Sequence, residues 1–499
     1  MRGASTTIAL PRGLEATFAK PQTLLLLAVL GGSLVLGLTV RVWELGSTNL
    51  WADEILTEYR AEAPLLESLD NIIHTIDQTP FYFLMLRVFP VNNELLLRLP
   101  SALLGVAGIL AVIIVVNQLW RDRYLALWAG VWLALNPYHI WLSRTARAYA
   151  LIFLLSLLMS FYFLMLCRDP SRKRWLGFTI ISMVAYVTHY SLLAIPFTQL
   201  LFLVLHWRKD LIQRWSLAQV VAVLPMFLWG VLVLLNLSPR EPQWGAPPAL
   251  DDLGLTFWNL TAGYDGGLYW YTLPGLTVAI VGVFLALYHQ PNGLSLGYWG
   301  LLFFVPVILV FGMSIAFVDV YVDRYFMALL PGLVIMIAAG WSQASRSAQN
   351  LAMCGVVLTG AVTFVNTLEH NTNQREDWES ATRFVEQHYA AQDFLVVDRK
   401  VTHTAFERYF DSADSLAVWQ LSETEAPAPE CEGTCRYWVI YRHPYEDIHR
   451  LGAMPEFDPL EANPVSVTAI WLQERRPYVE EYRVFAGLAV VLVTIPPIV

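Results

Sequence analysis

An acidic pair, Asp53-Glu54, follows Trp51 a few residues after the first long apolar run of the chain. A tryptophan beside two acids at this point is typical of an amphipathic helix that lies along the membrane interface. A carboxylate held there can act as a general base that removes a proton from an attacking group. A solvated loop carboxylate is the ordinary alternative for any single acid, so the assignment depends on the other motifs of the chain.

Arginines occur at two places where predicted helices end near the same membrane face. Residues 143–149, Ser-Arg-Thr-Ala-Arg-Ala-Tyr, form a very short turn between two apolar runs, and Asp-Arg-Tyr at 323–325 precedes a later run. Arginine at membrane depth is costly and usually has an anionic partner, and its fork matches phosphate oxygens. Arg144 is expected to snorkel to the interface, whereas Arg147 and Arg324 are predicted to bind a phosphate.

Two further polar residues lie at breaks between apolar runs. Asp77 precedes Thr79-Pro80 and the short apolar stretch 81–89, where it either caps a helix start or takes part in chemistry. His189 lies between two apolar helices, where hydrogen-bonded packing competes with ligand binding. Together these two side chains could supply oxygen and nitrogen ligands to a divalent metal ion.

The composition is that of a membrane protein. The 499 residues are 56% hydrophobic and only 15% charged, with a mean hydropathy of +0.48, whereas soluble domains carry about a quarter charged residues. The net charge of -9 argues against a nucleic-acid partner, which would favour a basic patch. Many of the 19 tryptophans lie near the ends of apolar runs, as expected for interfacial belts.

About eleven apolar runs are long enough to cross a hydrocarbon core of about 30 Å as helices. The predicted spans are residues 23–42, 98–118, 124–142, 148–166, 175–188, 190–207, 215–235, 272–288, 297–315, 325–343 and 350–367. The block 175–207 is divided at His189 because a single helix of that length would be too long for the bilayer. Residues 1–22 lack a signal-peptide cleavage pattern and are predicted to stay in the cytoplasm.

Basic residues predict the orientation of these spans. With the N-terminus in the cytoplasm, the inside connections hold most of the arginines and lysines that flank the apolar runs, as the positive-inside rule requires. The acidic segment 43–97 and the tail 368–499 then lie on the extracytoplasmic side. We therefore predict an integral, multi-pass protein whose active site faces away from the cytoplasm.

The tail 368–499 is predicted to form a small α/β domain. A helical pattern over 378–389 is followed by short alternating runs such as 394–397. The last apolar run, 484–495, has only about a dozen residues, so we predict a strand rather than a twelfth span.

Four cysteines divide into two pairs of different character. Cys167 and Cys354 lie in or beside apolar runs, where they act as small hydrophobic residues. Cys431 and Cys435 lie in the polar tail, where an exported domain would favour a disulfide over a metal pair.

The series of motifs resembles the GT-C membrane glycosyltransferases, a group that includes the protein O-mannosyltransferases of glycosyltransferase family 39 and the aminoarabinose transferases of lipid A. The segments that carry the resemblance are Leu-Trp-Ala-Asp-Glu (50–54), Asp-Gln-Thr-Pro-Phe-Tyr-Phe-Leu (77–84), Leu-Arg-Leu-Pro-Ser (97–101), Asn-Pro-Tyr-His-Ile-Trp-Leu-Ser (136–143), Ala-Arg-Ala-Tyr-Ala-Leu (146–151), Thr-His-Tyr (188–190), Asp-Arg-Tyr (323–325) and Glu-Asp-Trp (376–378). The resemblance implies the GT-C fold, with a transmembrane catalytic domain over 23–367, in a bacterial plasma membrane.

The resemblance also implies a reaction, the transfer of a sugar from a polyprenyl-phosphate donor to a lipid, polysaccharide or protein acceptor. Asp53 matches the general base that acts on the acceptor nucleophile, and Glu54 would position the acceptor. Arg147, Arg324 and the adjacent Tyr325 would bind the donor phosphate. Direct displacement with a single base implies inversion at the anomeric carbon.

Some positions depart from the pattern of this group. Asp77 and His189 fall where some relatives hold a divalent metal ion, while others need none. The turn 143–147 reads Ser-Arg-Thr-Ala-Arg where relatives often have Ser-Gln-Glu-Ala-Arg, and Thr79-Pro80 replaces a frequent Pro-Pro. The chain beyond residue 400 or so matches no pattern of the group, so the acceptor stays open.

A transporter or flippase of a lipid-linked saccharide is the alternative function. Transporters place charged residues near the midplane of the membrane and often contain inverted repeats. Here the apolar runs hold almost no acids, and the acids collect in the segment 43–97. That distribution favours chemistry at the interface.

Overall fold

The structure is a computed structural model, and its helices follow the apolar runs of the sequence. It describes residues 21–75, 78–206, 208–236, 248–263, 270–290, 293–317, 320–370, 376–390, 392–397, 400–411, 417–421, 433–442, 459–460 and 467–496. The α-helices are α1 (Pro21–Val42), α2 (Ala52–Glu62), α3 (Leu65–Ile73), α4 (Phe81–Leu86), α5 (Glu94–Trp120), α6 (Arg123–Leu135), α7 (Pro137–Ser143), α8 (Tyr149–Arg168), α9 (Arg172–Thr188), α10 (Ala194–Leu205), α11 (Lys209–Asn236), α12 (Leu250–Ala262), α13 (Leu273–His289), α14 (Gly293–Ala316), α15 (Leu330–Trp341), α16 (Arg346–His370), α17 (Trp378–His388), α18 (Lys400–Tyr409) and α19 (Val467–Glu474).

Long apolar helices make this an integral, multi-pass membrane protein. Within the described ranges, six helical stretches have the length and composition of membrane spans: Glu94–Trp120, Tyr149–Arg168, Lys209–Asn236, Trp270–His289, Ser295–Ala316 and Arg346–Val365. Four apolar helices are shorter, Leu30–Val42, Arg123–Leu135, Tyr190–Leu205 and Leu330–Trp341. The polytopic helical fold is confirmed, and the number of eleven spans stays a prediction.

Polar residues mark several of the helix starts between these segments. The side chains of Asn93, Asp122, Asn136 and Ser171 accept hydrogen bonds from backbone N–H groups in the first turns of α5, α6, α7 and α9. Such caps satisfy N–H groups that have no partner within the helix. At the division inside 175–207, α9 ends at Thr188, and a 3-10 turn (Tyr190–Leu193) leads into α10. This break is the one that the sequence predicts.

The centre of the membrane domain is α15, all of whose side chains are buried. Gly282 of α13 and Gly340 of α15 allow these two helices to touch, since a Cβ on Gly340 would lie 1.8 Å from the Gly282 carbonyl oxygen. Trp341 donates from Nε1 to the Val278 carbonyl at 2.8 Å and stacks on Trp128, with ring centroids 6.1 Å apart. Small residues at a helix crossing are the usual means of close packing in membranes.

Three short helices, α2 to α4, connect α1 to α5 on one side of the membrane domain. The helix α2 has both buried and exposed sides, with Ala52, Ile55 and Ala61 buried and Glu62 exposed. This is the amphipathic element that the sequence predicts after the first span. The candidate site lies at its first turn.

The C-terminal domain is a five-stranded sheet with α17, α18 and α19. The strands are β1 (Phe394–Val397), β2 (Ala417–Gln420), β3 (Cys435–Arg442), β4 (Val479–Phe485) and β5 (Leu488–Ile495), in the order β2-β1-β3-β5-β4. The pairs β1–β2 and β1–β3 are parallel, whereas β3–β5 and β5–β4 are antiparallel. Gly487, with a φ of 69°, occupies the turn between β4 and β5, where a left-handed conformation favours glycine.

The structure bears on two predictions for the tail. The terminal apolar run 484–495 forms the end of β4 and all of β5, so the prediction of a strand is confirmed. Cys435 is disulfide-bonded, while Cys431 lies outside the described residues. Cys167 and Cys354 are free thiols.

We expect Gly340→Ala to destabilise the membrane domain. The new methyl group would overlap the Gly282 carbonyl, and overpacking of this kind costs about 1–3 kcal/mol or more. Gly297→Ala on α14 is the matched control, because a Cβ there meets nothing within 4 Å. The measurement is the midpoint of thermal unfolding of the purified protein, and equal midpoints for the two variants would contradict the prediction.

Candidate functional site

Asp53 is the second residue of α2 and belongs to a partly buried cluster of polar side chains with Arg147, Arg324 and His189, which is called the polar pocket. Its side chain is 22% exposed, and Oδ2 lies 3.9 Å from Nη2 of Arg147. Leu50 and Ala52, both fully buried, anchor the chain immediately before it. The carboxylate is therefore held by its helix and remains open on one side.

Arg147 is held in place by contacts from three other segments. Its guanidinium donates to the Asp53 carbonyl at 3.4 Å and to Oε1 of Gln78 at 3.4 Å. Its own carbonyl accepts a hydrogen bond from Ser101 of α5 at 3.0 Å, and the hydroxyl groups of Ser101 and Tyr82 are 2.7 Å apart. The side chain is 12% exposed, so this cation faces the same open space as Asp53.

Arg324 and Tyr325 belong to the 3-10 turn Asp323–Ala328, which precedes α15. The buried Asp323 anchors this turn, because it accepts hydrogen bonds from Thr256 and Asn259 of α12. Burial raises the pKa of Asp323 to about 6, although both hydrogen bonds favour the charged form. Cζ of Arg324 lies 5.8 Å from the centroid of the Tyr325 ring.

His189 lies beside Tyr325, close enough to Arg147 and Arg324 for both charges to act on its ring. Its ring centroid lies 4.8 Å from that of Tyr325, and Nδ1 accepts a hydrogen bond from the backbone N–H of Ser191 at 3.1 Å. Burial, followed by the charges of Arg147 and Arg324, lowers the pKa of His189 to about 3. The ring is therefore neutral at pH 7.

The divalent metal ion predicted at Asp77 and His189 stays a prediction. Nδ1 of His189 is engaged by Ser191, since it lies 3.1 Å from the backbone nitrogen and 2.9 Å from the hydroxyl oxygen of that residue. Two arginines act on the ring, which favours an anion. Asp77, the other predicted ligand, lies outside the described residues, and within the described ranges no three His, Cys, Asp or Glu side chains form a group that could hold a metal.

The electrostatics of the pocket favour an ionised Asp53. Burial on its own would raise the pKa of this carboxyl group, but four nearby guanidinium groups outweigh it and lower the pKa below the ordinary value. The four cations are Arg147, Arg324, Arg442 and Arg60. Opposite charges within a few ångströms stabilise the ionised form. The pocket therefore presents a carboxylate within an excess of positive charge.

Glu54 is completely buried, unlike its neighbour Asp53. Arg98 of α5 donates to both of its carboxylate oxygens, at 2.9 and 2.7 Å, and the backbone N–H of Ala146 donates to Oε1 at 2.8 Å. The structure therefore does not bring Glu54 into the open space of the pocket, and its predicted contact with an acceptor stays a prediction. Its observed contacts connect α2, α5 and the turn that carries Arg147.

The sequence analysis assigns no role to Arg98 or Arg442. Arg98 directly follows the leucines 95–97, and an arginine after an apolar run needs an anionic partner, so its position carries a signal. Arg442, on β3, carries no such signal in the sequence. Only the docking of the C-terminal domain brings its charge to Asp53.

Arg144 differs from its prediction. It is only 4% exposed, and it donates to the carbonyls of Val40 at 3.1 Å and Trp43 at 2.7 Å. The prediction that it snorkels to the interface is wrong, because the end of α1 offers free carbonyl groups that an arginine can satisfy. Arg144 thereby fixes α1 to the turn after α7.

An apolar cavity of about 190 Å³ lies next to this pocket. Gln78 connects the two, since its side chain accepts from Arg147 and its carbonyl accepts from Trp229 at 3.3 Å. The residues that line the cavity are Gln78, Tyr190, Met226, Trp229, Gly230, Val233 and Leu234. The exposed apolar side of α11 forms most of its wall, so the cavity opens toward the lipid-facing surface.

Solved structures share this architecture. The crystal structure of ArnT from Cupriavidus metallidurans in the apo state has a TM-score of 0.60 at 13% identity, over 95% of this chain and 98% of that one. The structure of the same protein bound to undecaprenyl phosphate has a TM-score of 0.56 at 14% identity, over 95% and 98%. At such identities the likeness shows the fold, and the GT-C fold is confirmed.

Comparisons of sequence yield no relatives. No protein-family model matches the chain, and no curated protein matches it. The assignment of the chain to a fold therefore depends on the arrangement of its helices in space.

We expect Arg98→Ala to lower the free energy of unfolding more than the loss of a surface arginine does. The change leaves the Glu54 carboxylate buried without its cation, which typically costs about 3–5 kcal/mol. Arg383→Ala is the control, because its ion pair with Glu379 is exposed and such pairs contribute at most about 1 kcal/mol. Thermal unfolding midpoints measure the difference; a midpoint for Arg98→Ala no lower than that of the control would refute the structural role.

Proposed function

We propose that this protein is an inverting glycosyltransferase. It transfers a sugar from a polyprenyl-phosphate carrier to an acceptor at the extracytoplasmic face of a bacterial plasma membrane. The observation that carries the proposal is the 3.9 Å approach of the Asp53 carboxylate to the Arg147 guanidinium, with the charge of Arg324 also acting on Asp53. Asp53 as the base, and Arg147 and Arg324 as the cations that bind a phosphate group, could then contact the same bound substrate.

The proposed reaction is a single displacement. Asp53 accepts the proton of the acceptor nucleophile as that nucleophile bonds to the anomeric carbon of the sugar. The bond from the anomeric carbon to the phosphate oxygen breaks, and its electron pair leaves with the polyprenyl phosphate. Attack opposite to the leaving group inverts the configuration at this carbon. A sugar lipid, a polysaccharide or a protein can supply the nucleophile.

Arg147 and Arg324 stabilise the leaving phosphate in this reaction. Their guanidinium groups offer several N–H donors, which suit the oxygens of a phosphate group. Tyr325 and His189 lie beside them and complete the polar wall. When the donor phosphate binds, its negative charge offsets part of the positive charge around Asp53. The pKa of Asp53 then rises toward the value at which a carboxylate is a more effective base.

The apolar cavity beside Gln78 suits the lipid part of the donor. A polyprenyl chain is apolar, and its burial against Trp229, Met226 and Leu234 is favourable by the hydrophobic effect. Gln78 links this cavity to Arg147, so a phosphate at Arg147 would place the attached chain at the cavity entrance. The likeness of fold to ArnT supports a polyprenyl-phosphate donor, since one structure of that protein holds undecaprenyl phosphate.

We expect Asp53→Asn to abolish transfer while the protein stays folded. The amide cannot accept the proton, and loss of a general base lowers kcat by roughly 10²–10⁴-fold. Glu62→Gln is the control on the same helix, because Glu62 is exposed. The assay measures sugar transfer by purified protein with a panel of polyprenyl-phosphate sugars. A near-normal kcat for Asp53→Asn would exclude the assigned base.

We expect Arg324→Ala to weaken donor binding more than acceptor binding. Hydrogen bonds to charged groups contribute about 1.5–3 kcal/mol, so the donor KM should rise roughly tenfold or more. Arg324→Lys should retain part of the affinity because it keeps the charge but loses the fork. Steady-state kinetics with each substrate varied in turn separate the two effects. Equal increases in the donor KM and the acceptor KM would contradict the assignment of Arg324 to the donor phosphate.

A further inference from the structure

The first turn of α2, which carries Asp53, is capped by another domain. Trp51 at the N-cap position provides no side-chain hydrogen bond, so the helix does not cap its own start. The backbone N–H of Ala52 donates instead to Oε2 of Glu376 at 2.9 Å. A carboxylate at this position satisfies a free N–H group and is also favoured by the helix dipole.

Glu376 is fixed in this position by its own domain. Nε1 of Trp378 donates to Oε2 at 2.7 Å, and Nε of Arg442 donates to Oε1. Glu376 is only 5% exposed. Gly487 gives it room, since a Cβ there would lie 3.0 Å from Cγ of Glu376. The acceptor of the Ala52 N–H is therefore held rigidly by α17, β3 and the β4–β5 turn.

Two further contacts continue this connection along the chain before α2. Nδ2 of Asn49 donates to Oδ1 of Asp377 at 2.8 Å, and the N–H of Leu50 donates to the hydroxyl of Tyr409 at 2.7 Å. The whole segment 49–52 is thus fixed by acceptors of the C-terminal domain. The side chain of Asp53 follows directly after these contacts.

Arg442 connects the same cluster to the charge of Asp53. It forms an ion pair with Glu376, with both side chains 7% exposed, and it is one of the cations that act on Asp53. The others are Arg147, Arg324 and Arg60, which belong to the membrane domain. The C-terminal domain therefore contributes both a cap and a cation.

We propose that Glu376 and Arg442 are positioning residues for Asp53, so that the C-terminal domain completes the active site. The inference rests on the proposed function, in which Asp53 is the base. With Glu376 in place, the first turn of α2 keeps its shape and the carboxylate stays beside Arg147. Without it, the Ala52 N–H loses its buried acceptor, and the turn that carries Asp53 loosens.

The kinetic test compares Glu376→Ala, Glu376→Gln and Arg442→Gln with two control variants. Glu376→Ala should lower kcat roughly tenfold or more, since a misplaced reacting group is costly, while the donor KM stays unchanged. Glu376→Gln should have an intermediate kcat, because its amide oxygen can still accept from Ala52. Glu379→Gln and Arg383→Gln are the controls, since these two residues form an exposed ion pair with each other on the same domain.

The pH dependence of kcat tests Arg442 by a readout that a purely structural role would not change. Removal of this cation should raise the pKa of Asp53, so the acid limb of the profile should move to higher pH in Arg442→Gln. Arg383→Gln, which removes an exposed cation of the same domain, should leave the acid limb in place. Coincident acid limbs in the two variants would overturn the role of Arg442.

Hydrogen–deuterium exchange tests the cap without reference to activity. In Glu376→Ala the backbone amides of residues 50–55 should exchange faster than in the unaltered protein, and in Glu379→Gln they should not. Unchanged exchange in Glu376→Ala would overturn the cap, even where kcat falls. If the unaltered protein transfers no sugar from any polyprenyl-phosphate donor, the proposed function fails, and this exchange comparison still decides whether Glu376 holds α2.

Discussion

The buried ion pair between Arg98 and Glu54 is the interaction on which the site depends. Arg98 also donates to the carbonyls of Leu45, Thr48 and Asn49, at distances from 2.9 to 3.0 Å. One guanidinium therefore orders the chain after α1, the first turn of α2 and, through Glu54 and the Ala146 N–H, the turn that carries Arg147. Burial of two charges is costly unless their hydrogen bonds are satisfied, and here they are satisfied from several segments.

This arrangement gives the two neighbouring acids different environments. Both carboxylate oxygens of Glu54 accept hydrogen bonds from buried groups. Asp53 is partly exposed, and the four arginines that act on it carry more positive charge than its single negative charge offsets. Such a pocket is stable because Asp53 partly offsets the arginines. In the proposed reaction, the donor phosphate adds a second anion to the same set of cations.

The polar contacts between the two domains are concentrated at the start of α2, and apolar side chains of both domains belong to one buried cluster. Arg408 of α18 adds an ion pair with Glu58, at 2.6 Å, further along α2. Separation of the domains would leave the buried carboxylates of Glu58 and Glu376 without their partners. The orientation of Asp53 and the docking of the C-terminal domain are therefore linked.

Much of the fold follows from the sequence, because hydropathy and helical caps act over short distances. The apolar runs determine a multi-pass membrane protein, the break at His189 divides one long run, and the position of Asp53 after the first span indicates a base at the interface. The tertiary structure decides that Asp53 is partly exposed while Glu54 is buried, and that Arg144 is buried against the end of α1. It also brings Glu376 to the first turn of α2 and Arg442 to Glu376. These contacts join residues 44 to 324 positions apart, and local composition carries no information about which buried charge will meet which partner. Only the packed helices and the docked sheet bring those groups together.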